Sequence, residues 1–261
     1  MEHEHEGKKE SMLGSMPPKT AYLFGALSAT AVLAIIAVAI LLPLALSRKD
    51  GGTVAGAQVN ANVAAAPSAN TPTATADISK VNITNNPYLG DKNAPVTVAF
   101  WTDYQCPFCQ RFDEQTLPTL IQQYVDKGKL KIVVKDFAFL GPDSDTAALA
   151  ARAVWEVSPK NFLAWHEAMY NKQDAENGGW GNKDDVIALT KPISGIDADK
   201  VAKLMDSKKN DYTKLIAADK TEASSMGIDG TPGFIIGKQL IAGAQPTATF
   251  TLAIDALLAA K

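Results

Sequence analysis

Cys106 and Cys109 are the only cysteines in this 261-residue chain, and they frame the segment Cys106-Pro107-Phe108-Cys109. Sulfurs so spaced at a helix start sit within one turn, close enough to form and break a disulfide. Other uses compete. A purely structural bridge across so short a loop would remove little chain entropy. A zinc site wants further cysteine or histidine at ligand spacing, and none is present, so no metal site is expected there. Cu(I) favours thiolates, but no methionine cluster surrounds Cys106. Two inert buried thiols would not need Pro107 between them. Redox exchange is the chemistry that best uses this pair.

The pair needs elements to hold it. Val96 to Trp101 is a short apolar run with strand character, and it leads through Thr102-Asp103-Tyr104-Gln105 into the cysteines. A helical pattern follows from Pro107 to about Tyr124, with a kink expected at Pro118, and a second strand from Leu130 to Phe137. The cysteines therefore fall at a strand-to-helix junction. Pro107 suits the first helical position, where its missing N–H costs nothing. The Cys106 sulfur then faces unpaired backbone N–H groups and the positive end of the helix dipole. Both favour thiolate, so the Cys106 pKa is expected to fall and Cys106 to be the attacking sulfur. Cys109, one turn in and more shielded, is the resolving thiol.

A second motif lies far along the chain. Gly227-Ile-Asp-Gly-Thr231-Pro232-Gly and the residues after it read as loop, strand, turn, strand. Pro232 stands at the mouth of the strand Phe234 to Ile236, where proline is tolerated. Its peptide bond is open to either isomer on sequence alone. Asp103 and Lys135 sit near the ends of the first two strands. Either could relay protons to Cys109 or tune it, or could be an ordinary strand-end charge. Phe108 stands between the cysteines, where residue identity sets redox poise, and Tyr104 and Phe137 are candidates for apolar surface around the site. Between the motifs, residues 143–226 read as helices. Phe162, Trp165, His166 and Met169 recur there at helical spacing, a core face rather than a cofactor site.

The remaining third of the chain is of another kind. Residues 1–20 show no apolar period and read as a disordered tail. Its His3 and His5 could bind a metal weakly, though a solvated tail is the expectation. Residues 21–46 carry no charge and are long enough to cross a hydrocarbon layer of ~30 Å as a transmembrane anchor. The Ala45-Leu46-Ser47 segment faintly resembles a cleavage site, but an uncleaved signal-anchor is expected. Lys8, Lys9 and Lys19 flank one side and Arg48 and Lys49 the other, a slight bias toward an inside N-terminus. Residues 47–80, rich in Ala, Thr, Asn, Gly and Pro, read as a flexible linker. That leaves 81–261 for one folded domain. A net charge of −3 gives no footprint for nucleic acid, and 46% apolar with 20% charged residues excludes a collagen-like or wholly disordered chain.

Two separated stretches carry a resemblance. WTDYQCPFCQRFDEQTLPTLIQQYVDKGKLKIVVKDFAFLG is similar to the active-site unit of DsbA-like thiol–disulfide oxidoreductases, more narrowly the membrane-anchored BdbD-type branch. GIDGTPGFIIGKQLIAGAQPTATFTLAID resembles that family's Thr–cis-Pro loop, closing hairpin and last helix. The resemblance runs from about Asn85 to Lys261, with FLAWHEAMYNKQ as a helix-packing segment of the insertion. It implies an α/β thioredoxin fold with an inserted helical subdomain, a cis Pro232 facing Cys106, and a Thr231 backbone that pairs with substrate as a short strand. It also implies an extracytoplasmic enzyme donating disulfides to cysteine-containing exported proteins. Reoxidation would come from a quinone-linked membrane partner, and the dithiol itself would be the redox centre with no bound cofactor. A monomer is expected, since no dimerisation segment precedes the domain. Pro-Phe between the cysteines differs from the Pro-His of DsbA and the Gly-Pro of thioredoxin, so neither potential transfers. A reductase or isomerase of the same fold, or a chaperone or metal-binding module without turnover, remains the alternative.

Overall fold

The first strand expected from the sequence is the centre of a five-stranded sheet. The structure, a computed structural model, describes residues 76–260. The expected tail, anchor and most of the linker lie outside the described residues. Among the described residues no helix is long and apolar enough to cross a membrane. The strands are β1 (Tyr88–Leu89), β2 (Val96–Thr102), β3 (Leu130–Asp136), β4 (Gly233–Ile236) and β5 (Gln239–Ala242), in the spatial order β1-β3-β2-β4-β5. β2 runs parallel to β3 and antiparallel to β4, so it is paired along both edges.

Successive strand residues face opposite sides of the sheet. On one face Val96, Val98 and Phe100 join the cluster that also holds Cys106 and Cys109. On the other, Ala99 and Trp101 join a second cluster with Phe137, Ala223 and Ile235. Phe100 stacks on Phe234 at 4.9 Å and meets Phe112 at the same distance, and Phe112 meets Phe250 at 5.2 Å. These rings fasten two helices to the cysteine face: α1 (Pro107–Gln115) and the last helix (Thr247–Ala259).

The helix after the cysteines is more interrupted than the sequence suggests. α1 ends at Gln115, a four-residue turn α2 spans Leu117–Leu120, and a π-type turn follows at Ile121–Val125. Pro118 has no N–H to offer the carbonyl one turn back, and the helix is interrupted at Thr116. The helices α3 (Pro142–Val157), α4 (Phe162–Lys172), α5 (Lys183–Thr190), α6 (Ala198–Ser207) and α7 (Lys209–Ser225) all fall between β3 and β4, and the last helix is α8. The fold is an α/β thioredoxin fold with an inserted helical region. Residues just before 81 pack against the sheet: Ala76 and Val81 are buried with Trp101, and the Ile78 N–H donates to Gly237 O at 2.8 Å.

Candidate active site

The loop from β2 to α1 places Cys106 at the helix N-cap, with Pro107 at the first helical position. No side chain caps this end, so its backbone donors are left to the sulfur. The Cys106 carbonyl accepts from Cys109 N at 3.0 Å and Gln110 N at 3.1 Å, which starts the helix. The insertion holds the loop from outside. Gln173 Nε2 donates to Tyr104 O at 2.6 Å and to Cys106 O at 3.3 Å, and Gln110 Nε2 donates to Tyr170 O at 2.9 Å.

Both thiols are free. Cys106 is 4% exposed and Cys109 fully buried, while Phe108 between them is 53% exposed. The Cys106 pKa is lowered to about 6. Chiefly, the Cys109 thiol hydrogen-bonds its sulfur; burial opposes this, and the Thr231 side chain and the Cys109 and Phe108 N–H groups assist. Thr231 Oγ1 is buried without a hydrogen-bond partner. The Cys109 pKa is pushed well up, first by burial and then by its bond to Cys106. At neutral pH the negative charge therefore resides on Cys106, the sulfur nearer the surface.

The Thr231–Pro232 peptide bond is cis. It presents the Thr231 carbonyl to Cys106, whose Sγ lies 3.3 Å away. The Pro232 carbonyl accepts from Gly243 N at 2.8 Å, tying this loop to the end of β5. Beside the cysteines runs a groove of about 710 Å³, lined among others by Phe108, Arg111, Thr231, Ala244 and Pro246. The Arg111 guanidinium sits 5.0 Å from the Phe108 ring centre and donates to Ala244 O at 3.3 Å.

The two charged candidates near the strand ends are both buried. Asp103 is buried, and its backbone carbonyl accepts from Cys106 N at 3.1 Å. Its carboxylate accepts from Gln105 N (2.8 Å), Ser144 Oγ (2.6 Å), Phe139 N (2.9 Å) and Leu140 N (3.3 Å). Lys135 pairs in register with Trp101 and so projects to the face opposite Phe100 and the cysteines. There its ammonium contacts Asp219 at 2.6 Å, Glu222 at 2.8 Å and Asn82 O at 2.6 Å. Asp219 also binds Arg152, which holds Asp136 at 2.6 Å. Burial, opposed by Arg152, leaves the Asp136 pKa raised. Lys135 belongs to this buried charge network, which pins α7 and α3 to the sheet. Strand alternation is the reason: a strand-end lysine one position off the cysteine face cannot turn to it.

Phe137 likewise lies in the second cluster, away from the cysteines, and Tyr104 is buried with its hydroxyl 2.7 Å from His166 Nδ1. His166 is fully buried, and its Nε2 faces Asp113 Oδ1 at 3.2 Å without a well-directed hydrogen bond. Sequence reasoning passed over Asp113, Thr102 and Tyr170. The signals were there: Asp113 lies one turn beyond Cys109, Thr102 shares the alternation of Phe100, and Tyr170 is one turn beyond His166. Among the described residues no group of three or more His, Cys, Asp or Glu is placed to hold a metal.

Comparison with known proteins follows the same geometry. Residues 80–256 match the family model described as thioredoxin. Disulfide bond formation protein D of Bacillus subtilis is 29% identical over 160 residues, covering 61% of this chain and 71% of that protein. The crystal structure of oxidised BdbD from Bacillus subtilis superposes with a TM-score of 0.64 at 26% identity, over 71% of this chain and 98% of that one. A periplasmic thioredoxin-like protein from Salmonella enterica serovar Typhimurium superposes at 0.55 with 27% identity, over 67% of this chain and 91% of that one.

Proposed function

The chain belongs to the thioredoxin family as a protein thiol–disulfide oxidoreductase of the DsbA type carrying the Cys106–Cys109 pair, and on that premise we propose that it donates this disulfide to exported proteins. A substrate thiolate attacks Cys106 Sγ; the Cys106–Cys109 bond breaks and its electron pair passes to Cys109. A second substrate thiolate then attacks the substrate sulfur of the mixed disulfide and expels Cys106 as thiolate. The substrate loses two electrons and two protons, and the enzyme is left as the dithiol. Thr231 and Pro232 form the shelf on which the substrate backbone lies as a short strand, and Pro107 and Phe108 shape access and potential.

One observation carries the direction. The Cys106 pKa of about 6 stabilises the reduced enzyme relative to its disulfide. A stabilised reduced form makes the disulfide a stronger oxidant. A low pKa also makes Cys106 the better leaving group in the second step. The uncharged run of residues 21–46 supports a single-pass anchor, with the catalytic domain on the extracytoplasmic face of the plasma membrane. The periplasmic Salmonella relative and the persistence of disulfides in oxidising compartments agree with that side. Reoxidation there falls to a quinone-linked membrane partner.

Equilibrating the full-length chain against a glutathione series, with a mass-tagged thiol reagent reading the Cys106–Cys109 state, tests the direction. A potential above the about −270 mV of thioredoxin is expected. A thioredoxin-like value would overturn the donor reading in favour of a reductase.

A further inference from the structure

Of the described residues that line the groove beside the cysteines, Arg111 alone is charged. It stands three residues beyond Phe108 on α1, and both side chains are exposed, while Cys109, Phe112 and Asp113 fill the buried face of that helix. Helical spacing therefore puts Phe108 and Arg111 on one face, along the groove. The opposite wall is the turn from β5 to α8, with Ala244 and Pro246, and Thr231 lines the same groove. A peptide laid on the Thr231 backbone thus runs into it. The Arg111 guanidinium is held from two sides. The Phe108 ring centre lies 5.0 Å away, and Nη2 donates to Ala244 O at 3.3 Å. Neither contact cancels the charge, and among the described residues no carboxylate lies within ion-pair distance of it. A peptide that fills the groove takes water from this head. An apolar side chain there would leave the charge uncompensated, and a lysine would add repulsion. A carboxylate can accept from two of the guanidinium N–H groups at once and neutralise the charge.

We propose that Arg111 is a specificity-determining residue of the exchange, selecting in this groove the cysteine-containing peptides that carry an Asp or Glu about two residues from the reacting cysteine. The spacing follows from the helix. Arg111 stands five residues along from Cys106, about 7–8 Å at ~1.5 Å per residue. Two residues of an extended peptide cover a similar distance at ~3.3 Å each. A substrate cysteine on Cys106 then leaves a carboxylate two positions away within reach of the guanidinium. The exchange chemistry is unaltered; the pair only decides which peptide is seated for it. This inference rests on the thiol–disulfide exchange reading of the cysteines and names the substrate class that they meet.

The full-length oxidised chain mixed with two-cysteine peptides tests it. The peptides are identical except that the residue two before each cysteine, or in a second series two after, is Glu, Gln or Lys. Trapping with a mass-tagged thiol reagent reads the second-order rate at which the Cys106–Cys109 disulfide is reduced. In at least one series the Glu peptide is expected to react about two- to fivefold faster than the Gln peptide, the range an exposed ion pair supplies, and the Lys peptide more slowly than both. The ratio should shrink toward one at ~1 M salt. Arg111→Gln should bring the ratios to one without added salt, and Arg111→Glu should make the Lys peptide the fastest. Each ratio compares peptides on one protein, so a general effect of the substitution on the cysteines cancels. Arg111 is exposed, and neither variant opens the core. Equal rates for the Glu and Gln peptides in both wild-type series, a Lys peptide that reacts fastest with the wild type, or a wild-type ratio kept by Arg111→Gln overturns the proposal. A wild-type disulfide that no peptide reduces would instead remove the exchange reading itself, and this inference with it.

Discussion

The Sγ of Cys106 lies 3.3 Å from the carbonyl oxygen of Thr231, a residue 125 positions later in the chain. Between them in sequence stand β3 and the whole helical insertion. The contact exists because β4 pairs antiparallel with β2, with Gly233 opposite Trp101. That register sets the Thr231–Pro232 loop over the end of β2, where the cysteine loop begins. A sulfur and a strand-like backbone edge are thereby brought to one surface, beside the groove that Phe108 and Arg111 line.

The ionisation of Cys106 has a readable pH dependence. Its folded pKa, about 6, lies below the ordinary thiol value of 9.0. The ionised form therefore stabilises the folded, reduced protein above the unfolded pKa, and that stability is lost as pH falls through about 6. The oxidised protein has no thiol to titrate. Alkylation of Cys106 by iodoacetamide should titrate with a midpoint near 6, and the reduced form should lose stability relative to the oxidised form as pH falls through that value. A midpoint at the ordinary thiol value would contradict the assignment of the charge to Cys106.

The two sulfurs should separate by variant. Cys109→Ser leaves the Cys106 thiol with nothing to resolve its adducts, so mixed disulfides with cysteine-containing proteins should accumulate on Cys106 and survive non-reducing electrophoresis. Cys106→Ser should abolish exchange and form no such adducts. A double serine variant that still promoted disulfide formation would show that the pair is not the redox centre.

Lys135→Ala should act on stability rather than on chemistry. It strands the carboxylates of Asp219 and Glu222 against a buried face. Breaking one partner out of a buried pair costs about 3–5 kcal/mol. Denaturant unfolding should register that loss, while the alkylation midpoint of Cys106 stays in place. A shifted midpoint with little lost stability would restore Lys135 as a tuning residue.

Asp103→Ala removes the acceptor of three backbone N–H groups and the Ser144 hydroxyl. With several buried donors left unsatisfied, the expected cost is roughly 3 kcal/mol or more. The loop from β2 to α1 and the start of the insertion should lose hydrogen-exchange protection together, since one carboxylate serves both. Protection lost only in the cysteine loop would mean that Asp103 does not join them.

The peptide around the cysteines was legible because its determinants are local. An apolar run ending in a polar loop, a proline at the first helical position and two cysteines one turn apart dictate a strand, a helix N-terminus and a sulfur facing free N–H groups. The helical character of residues between the two motifs was legible from periodicity in the same way. The break at Thr116 was half legible: Pro118 announces trouble, but whether a helix bends or stops depends on what packs against it. Which groups stand over each sulfur was not local. Thr102 and Lys135 are both polar strand residues near the same end of the sheet. Strand register sends Thr102 to the face of Phe100 and Lys135 to Asp219 on the other side. Thr231, Tyr170 and Gln173 reach the site only through the antiparallel pairing of β4 and the docking of α4. The sequence by itself determined the reactive pair and its place at a helix start, since a few adjacent residues fix backbone geometry and dipole. Only the tertiary structure decided the partners of each sulfur, because side chains distant in the chain are brought together by burying the two faces of one sheet.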